Sequence, residues 1–160
     1  MGTSDFAKEF LEHLYFQKKF RIKAVYTQPP RKANRGQKIS PSPVHKFADE
    51  KKIKVFSPSK LSDVDVQNIE QIKPDNLIVV SYGLILPLKV IRIPSCGAIN
   101  VHASMLPKWR GAAPIHRAIL NGDTNTGISI MKIEEGLDQG PTYMQSAIEI
   151  GKNDTFKVVY

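Results

Sequence analysis

Apolar residues recur along the chain with two periods, one typical of strands and one typical of helices. Residues 76–80, NLIVV, form a nearly continuous apolar run, as expected of a strand buried in a parallel sheet. Phe6, Phe10 and Leu14 recur at helical spacing after Asp5, which we expect to be the N-cap. Comparable patterns predict strands at residues 22–27, 53–56, 98–102, 126–133 and 141–150, and helices at residues 40–52, 64–72, 114–121 and from 155 onward. Strands that alternate with helices indicate a Rossmann-like α/β domain with a mostly parallel sheet flanked by helices.

The strand at residues 98–102 carries the first candidate chemistry. Asn100 and His102 are two residues apart, so they project from the same face, near the carboxyl end where open α/β sheets bind ligands. An Asn amide can donate to an oxyanion and a His can move a proton near neutral pH, so the pair suits addition of a nucleophile to a carbonyl. The alternative is that Asn100 caps a turn and His102 is an ordinary hydrogen-bonded residue.

A basic segment follows the strand at residues 22–27. Residues 28–38 hold two prolines, one glycine, no acid and four cations: Arg31, Lys32, Arg35 and Lys38. A segment of this composition cannot bury itself, so we expect an exposed loop. It is either a plain solvated linker or a loop that contacts phosphates.

Charge favours one class of partner, and missing motifs count against two classes of nucleotide site. The 160 residues are 41% hydrophobic and carry a net charge of +8, and residues 18–60 contain 13 Lys and Arg against two acids, Asp49 and Glu50. This local excess favours a polyanion as a partner, although solvated lysines of a basic protein would give the same count. There is no GxGxxG or GxxxxGK[ST] sequence, so a dinucleotide or P-loop site lacks its usual motif.

Cys96 is the single cysteine, which excludes a disulfide framework within the chain and a cysteine metal cluster. Acidic residues at positions 5, 9 and 12 interrupt any apolar core of a signal peptide. No apolar stretch approaches the roughly 20 residues of a membrane span. A cytoplasmic, reducing compartment is the simplest expectation.

The stretch from Asn100 to Ile115, NVHASMLPKWRGAAPI, resembles the signature of the folate-dependent formyltransferases. Its second half, RGAAPI, is most similar to the branch of that family that acts on initiator methionyl-tRNA. The resemblance extends over the whole chain and implies the family's Rossmann-like formyltransferase fold.

The resemblance implies catalytic roles for three residues. Asn100 matches the residue that steadies the oxyanion, His102 the proton-transfer residue, and Asp138 the carboxylate that orients or relays to His102. Asp138 lies in Leu137–Gly140, which is similar to the family's Leu-Asp-x-Gly segment with Gln139 in place of a common Thr. From the residues alone, two glycines and a proline around Asp138 predict a turn in which the Asp side chain has only a structural role.

The formyl donor implied by the resemblance is 10-formyltetrahydrofolate, and no metal is expected. Two segments match those that line the folate site, with Met105 replacing the usual Leu and Ala103 replacing Gly or Pro. Their residues are Ser104, Met105, Leu106 and Pro107 in one segment, and Tyr82, Gly83, Leu84 and Ile85 in the other. Residues 82–85 would equally suit a tight turn with core leucines.

The basic segment resembles the insertion with which the methionyl-tRNA branch meets the tRNA acceptor end, and it places Arg31, Lys32, Arg35 and Lys38 as candidate tRNA contacts. The expected function is therefore formyl transfer to the amino group of initiator methionyl-tRNA, in translation initiation. Lys108, Trp109 and Arg110 are expected to meet solvent or the tRNA end.

Two alternatives stay open. One is another folate-dependent formyltransferase, acting on glycinamide ribonucleotide or a sugar nucleotide. The other is a non-catalytic fragment that keeps a basic RNA-binding surface. Compared with the family, residues 1–160 are expected to be a catalytic domain incomplete at both ends, without the first strand and the C-terminal β-barrel domain. The full-length protein is expected to be a monomer.

Overall fold

The computed structural model describes residues 1–33 and 38–160. The helices are α1 (Asp5–Phe16), α2 (Pro43–Glu50), α3 (Asp63–Ile72), α4 (Leu88–Ile91), α5 (Pro114–Leu120) and α6 (Phe156–Val159). The strands are β1 (Val25–Tyr26), β2 (Arg31–Ala33), β3 (Lys38–Ser40), β4 (Val55–Phe56), β5 (Leu77–Val80), β6 (Ala98–His102), β7 (Asn125–Lys132) and β8 (Thr142–Glu149).

Serine side chains fix the starts of the three longest helices. Ser4, not the expected Asp5, caps α1 by accepting from the Ala7 N–H, because a serine hydroxyl satisfies an N–H left free in the first turn. Ser42 caps α2 in the same way, and Pro43 follows it as the first helical residue. Ser62 and Asp65 form a reciprocal capping box at α3. No helix of the described ranges has the length and apolar composition that crossing a bilayer requires.

The main sheet has the order β5-β6-β7-β8. β5 and β6 are parallel, whereas β6, β7 and β8 pair in antiparallel fashion. β1 and β4 form a separate parallel pair. The predicted α/β fold with a parallel sheet flanked by helices is thus confirmed, and the four-stranded part of the sheet is mixed rather than purely parallel. The pairing of β7 with β8 has a local reason, because the connection of residues 133–141 holds no helix or strand and is too short for the crossover that parallel neighbours need.

Met1 and Gly2 connect the β1–β4 pair to the main sheet. The Gly2 N–H donates to the Tyr26 carbonyl, and the Val80 N–H donates to the Met1 carbonyl. A Cβ on Gly2 would lie 2.6 Å from the Ala7 Cβ, so only glycine fits between α1 and β5. Beyond these two residues the gap between β1 and β5 opens into a cavity of about 510 Å³, lined mainly by apolar side chains.

Two apolar clusters pack on the two faces of the sheet. One joins β5 to α3 and α4 through residues such as Leu77, Ile69 and Val90. The other joins β1 to α1 and α2 and includes the buried alanines Ala7 and Ala48. The helices therefore flank the sheet on both sides, as the alternation of strands and helices predicts.

The basic segment differs from the expected loop. Residues on either side of its centre pair as an antiparallel ribbon, with Arg31 opposite Ser40 and Lys32 opposite Ile39. Arg31, Lys32 and Lys38 are exposed on this ribbon, as their composition predicts, whereas Arg35 lies outside the described residues. Backbone pairing between β2 and β3 depends on both strands together, which proline and glycine content does not reveal.

Candidate active site

Strand β6 places Asn100 and His102 at the carboxyl end of the central sheet. Asn100 pairs with Val79 of β5 and Met131 of β7, and His102 lies opposite Ser129. Neighbours on both sides fix the backbone of β6, so the two-residue alternation brings both side chains to one face. His102 is 7% exposed.

The turn between β7 and β8 supplies the third residue. Asp138 has a φ of 48°, a left-handed conformation that Asp tolerates better than most residues. Gly140 follows it where a Cβ would lie 2.0 Å from the Lys132 carbonyl oxygen, so a side chain there would displace the turn. The turn is therefore held by its own backbone, and it directs the Asp138 carboxylate toward β6.

The structure brings Asn100, His102 and Asp138 together. The Asn100 amide donates to Asp138 Oδ1 over 3.1 Å, and the Gly111 N–H donates to Oδ2 over 2.8 Å. His102 Nδ1 lies 3.5 Å from the same Oδ2. One N–H of the Asn100 amide is used by the carboxylate, and since an amide carries two, the second can donate to a ligand.

The other ring nitrogen of His102 is also occupied. Nε2 lies 2.8 Å from the Trp109 carbonyl oxygen, and a carbonyl oxygen can only accept, so Nε2 carries a hydrogen. Nδ1 is then the nitrogen that can take up or release a proton, with the Asp138 carboxylate beside it. This arrangement suits a residue that carries a proton between two reacting atoms.

Residues 104–107 follow β6 and are held by hydrogen bonds from β7 and β8. Ser129, fully buried, donates to the Ser104 carbonyl over 2.6 Å and accepts from the Leu106 N–H over 3.0 Å. Gln145 of β8 donates to the Leu106 carbonyl over 2.9 Å. The segment that resembles a folate-lining loop is thus fixed beside the candidate catalytic residues. Sequence reasoning missed Ser129 and Gln145, because their contacts depend on strand register.

Residues 82–85 follow β5, whose carboxyl end adjoins that of β6. Ile85 is 95% exposed, whereas Tyr82 is 2% exposed and packs in the core with Tyr26 and Val79. The Tyr82 hydroxyl is buried with no partner among the described residues, and burial raises the pKa of this phenol to about 12. Only the part of this segment near Ile85 offers free apolar surface at the sheet edge.

The sequence predicts that Trp109 meets solvent or the tRNA end. In the structure it is instead partly buried and hydrogen-bonded within the chain. Its indole N–H donates to Asp123 Oδ2 over 2.7 Å while its carbonyl meets His102. The correction has a plain cause: Asp123 lies 14 residues further along, beyond α5, and no pattern in the sequence joins the two. Lys108 and Arg110 are exposed, as expected.

Two cavities of about 510 and 580 Å³ lie mostly at the amino ends of the strands, and neither is lined by Asn100, His102 or Asp138. Asn100, His102 and Asp138 lie instead at the carboxyl edge of the sheet, where the His102 and Asp138 side chains are mostly buried. Within residues 1–33 and 38–160, no group of three or more His, Cys, Asp and Glu side chains is placed to hold a metal ion.

Comparison with known proteins gives the family. The profile described as "Formyl transferase" matches residues 1–160. The chain belongs to the formyl transferase family. Two curated proteins to which it is similar are the methionyl-tRNA formyltransferases of Pseudomonas fluorescens strain Pf0-1 and of Wolbachia sp. subsp. Drosophila simulans strain wRi. The first is 49% identical over 96% of this chain and 48% of the relative, and the second is 45% identical over all of this chain and 54% of the relative. The chain thus spans about half the length of the curated relatives it matches.

Solved structures show the same fold at low sequence identity. Phosphoribosylglycinamide formyltransferase from Bacillus halodurans superimposes with a TM-score of 0.77 at 20% identity, covering 98% of this chain and 81% of that protein. At this identity the likeness shows the fold alone. It confirms that the formyltransferase architecture is present in these residues.

Proposed function

We propose that this formyl transferase family member moves a formyl group from 10-formyltetrahydrofolate to the amino group of initiator methionyl-tRNA. The observation that carries the proposal is the contact of Asn100 and His102 with one carboxylate, Asp138, at the carboxyl edge of the sheet. Support for the acceptor comes from the relatives' names and from the exposed cations Arg31, Lys32 and Lys38 on strands β2 and β3.

The residues at the sheet edge fit a formyl donor of this type. Ile85 presents exposed apolar surface after β5, and residues 104–107 form a fixed loop after β6. An apolar surface and a fixed loop on adjacent strands suit a flat aromatic ligand. The donor would supply an electrophilic formyl carbon, and Ile85, Met105 and Leu106 would contact its ring system.

We assign three roles to this chain's own residues. The free N–H of Asn100 donates to the formyl oxygen, which gains negative charge as the amine attacks. His102 accepts the proton that the amine loses, at Nδ1, and returns it to the nitrogen that leaves. Asp138 stabilises the charged ring while His102 holds that proton. One C–N bond forms, one breaks, and the proton count is unchanged.

Four cations of the basic segment are proposed to hold the acceptor: Arg31, Lys32, Arg35 and Lys38. Arg31, Lys32 and Lys38 are exposed and close together in register, so they can contact neighbouring phosphates. Arg35 is included from the family resemblance. We place the reaction in the cytoplasm and propose that the full-length protein is a monomer.

Acceptor choice tests the proposal. The purified chain, 10-formyltetrahydrofolate and either methionyl-tRNA or glycinamide ribonucleotide should yield formylated methionyl-tRNA only. Replacing Arg31, Lys32 and Lys38 together with Gln should raise the KM for tRNA and weaken its salt dependence. Transfer to glycinamide ribonucleotide instead would assign a different acceptor. A folded chain that binds tRNA but formylates neither acceptor would show that these residues do not carry the reaction.

A further inference from the structure

Trp109 is bound at both ends, although it lies in a loop. Its indole N–H donates to Asp123, its carbonyl accepts from His102, and its φ is 57°. A bulky residue in the left-handed region costs conformational energy, and such strain persists only where surrounding contacts enforce it. The two hydrogen bonds of Trp109 are contacts of this kind.

Asp123 is itself held in place. Its side chain is 8% exposed, Oδ1 accepts from the Asn121 amide over 2.8 Å, and the Lys108 ammonium lies 3.6 Å from Oδ1. Hydrogen bonds from Asn121 and Trp109 keep the pKa of this carboxyl below its ordinary value. Asp123 is therefore a charged and fixed acceptor for the indole.

The Trp109 carbonyl oxygen links this arrangement to His102 in the candidate active site. The Trp109 carbonyl requires a hydrogen on His102 Nε2 and so leaves Nδ1 facing Asp138. If the carbonyl moved away, either ring nitrogen could carry the hydrogen and the ring could rotate. The position of the Trp109 carbonyl thus selects the tautomer and the orientation of His102.

We propose that Asp123 and Trp109 are positioning residues for His102: Asp123 holds the indole, and the turn at Trp109 presents a carbonyl that fixes the imidazole with Nδ1 toward Asp138. The catalytic part of this inference rests on the proposed function. The effect on the imidazole tautomer does not.

A purely structural role would look different. If the Trp109–Asp123 contact served only to close the loop from Lys108 to Asp123, removing it would lower the melting temperature and leave the ring nitrogens of His102 unchanged. A positioning role changes those nitrogens whether or not stability falls. The state of the imidazole is therefore the discriminating readout.

The test uses Trp109→Phe, which keeps an aromatic ring but removes the indole donor, and Asp123→Ala, which removes the acceptor. Asp123→Asn is the conservative control because it keeps one acceptor oxygen. Long-range ¹H–¹⁵N spectra of ring-labelled histidine report the tautomer, with the His102 signal assigned by a His102→Gln variant. Formyl transfer is measured on the same samples.

We expect the parent chain to show His102 with its hydrogen on Nε2. Trp109→Phe and Asp123→Ala should both shift the signals toward a tautomer mixture. Both should lower kcat about tenfold to a hundredfold with little change in KM, because misplacing a catalytic group by about an ångström has effects of this size. Asp123→Asn should lie between the parent and Asp123→Ala. The double variant should be no slower than either single one, since both remove the same contact.

Unchanged His102 signals in both Trp109→Phe and Asp123→Ala would overturn the inference, whatever the melting temperatures. Should the parent chain lack transferase activity, a tautomer shift in these variants still supports positioning, and the proposed function alone fails. Activity losses that simply add in the double variant would also contradict a shared mechanism.

Discussion

Around β6, β7 and β8 the structure is held by directional contacts, whereas around β1 and β4 it is held by apolar packing. In the first region, which we call the site half (residues 98–141 with β8), hydrogen bonds link Asn100, Asp138 and the loop after β6. In the second, the amino half (residues 1–33 and 38–56), two strands of two residues each are joined to the backbone of the main sheet through Met1 and Gly2, and Val25 and Tyr26 pack against it in the two apolar clusters. A cavity of about 510 Å³ lies beside them.

The difference shows what each kind of contact can do. Apolar burial is non-directional, so it stabilises the amino half without fixing individual atoms. Hydrogen bonds have narrow ranges of distance and angle, so the site half holds side chains in defined positions. Chemistry that depends on the placement of single atoms is therefore expected in the site half, and small changes there should alter activity more than stability.

Removing an oxyanion donor should give the largest effect. We expect Asn100→Ala to lower kcat about 10²- to 10³-fold, with a small change in melting temperature because Asn100 is only partly buried. Steady-state kinetics and thermal melts of the same samples measure both. A large loss of stability with unchanged kcat would show that Asn100 serves the fold and not the chemistry of the site half.

Leucine truncations test the open packing beside β1. Leu61 and Leu77 belong to the same apolar cluster, but only Leu77 lines the cavity. Leu61→Ala should cost about 2–5 kcal/mol of unfolding free energy. Leu77→Ala should cost less, because a side chain that borders open volume has fewer contacts to lose. Urea unfolding measures the pair, and an equal or larger cost for Leu77→Ala would mean that the gap is closed in solution.

A hydroxyl deletion tests the directional contacts. Ser129→Ala removes the bonds to the Ser104 carbonyl, the Leu106 N–H and Gln145. Leaving buried partners unsatisfied should cost about 1–3 kcal/mol. Ser146→Ala, on the exposed strand β8, is the matched control and should change the free energy of unfolding by less than about 0.5 kcal/mol. Equal effects in chemical denaturation would show that the Ser129 bonds do not hold the loop.

The smallest effect is expected at Tyr82. Because its hydroxyl is buried without a partner among the described residues, Tyr82→Phe should be neutral or stabilising by up to about 1 kcal/mol. Burial raises the folded pKa of Tyr82 to about 12, above the unfolded value of about 10. The folded state therefore keeps its full stability, as far as this phenol is concerned, below pH 10. That stability falls as pH rises toward 12, because the unfolded chain ionises first.

Tyr82→Phe should flatten that alkaline decline, as measured by melts between pH 8 and 11. The acid side of the stability profile should stay as in the parent, which serves as the internal control. A marked destabilisation of the variant at pH 7 would mean that the hydroxyl has a partner.

The helices and strands with strong hydrophobic periodicity were predicted most accurately from the sequence. Residues 98–102 were predicted as a strand and form β6 over the same residues, and the helix predicted at 64–72 forms α3 within one residue. The strand predicted at 22–27 is paired only at Val25–Tyr26, because residues 22–24 border the cavity and have no neighbouring strand to pair with. Strand length depends on partners far away in sequence, which periodicity cannot show.

The candidate site was only partly predictable. Alternation in β6 placed Asn100 and His102 on one face, but only the family resemblance joined them to Asp138. The contacts of Trp109 with Asp123 were missed, because they depend on how α5 returns the chain to the loop after β6. Short α4, with four residues, was missed because so short an apolar run carries no distinct period.

The central claim is that the Asp138 carboxylate, beside Asn100 and His102, carries formyl transfer. The most direct measurement compares the rate of transfer from 10-formyltetrahydrofolate to methionyl-tRNA in the parent chain, in Asp138→Asn and in Asp75→Asn. Asp75 is exposed at the opposite edge of the sheet, so the same chemical change there should leave the rate unaltered. We predict that Asp138→Asn loses at least about a hundredfold in rate while it stays folded. A folded Asp138→Asn variant as fast as Asp75→Asn would contradict the account.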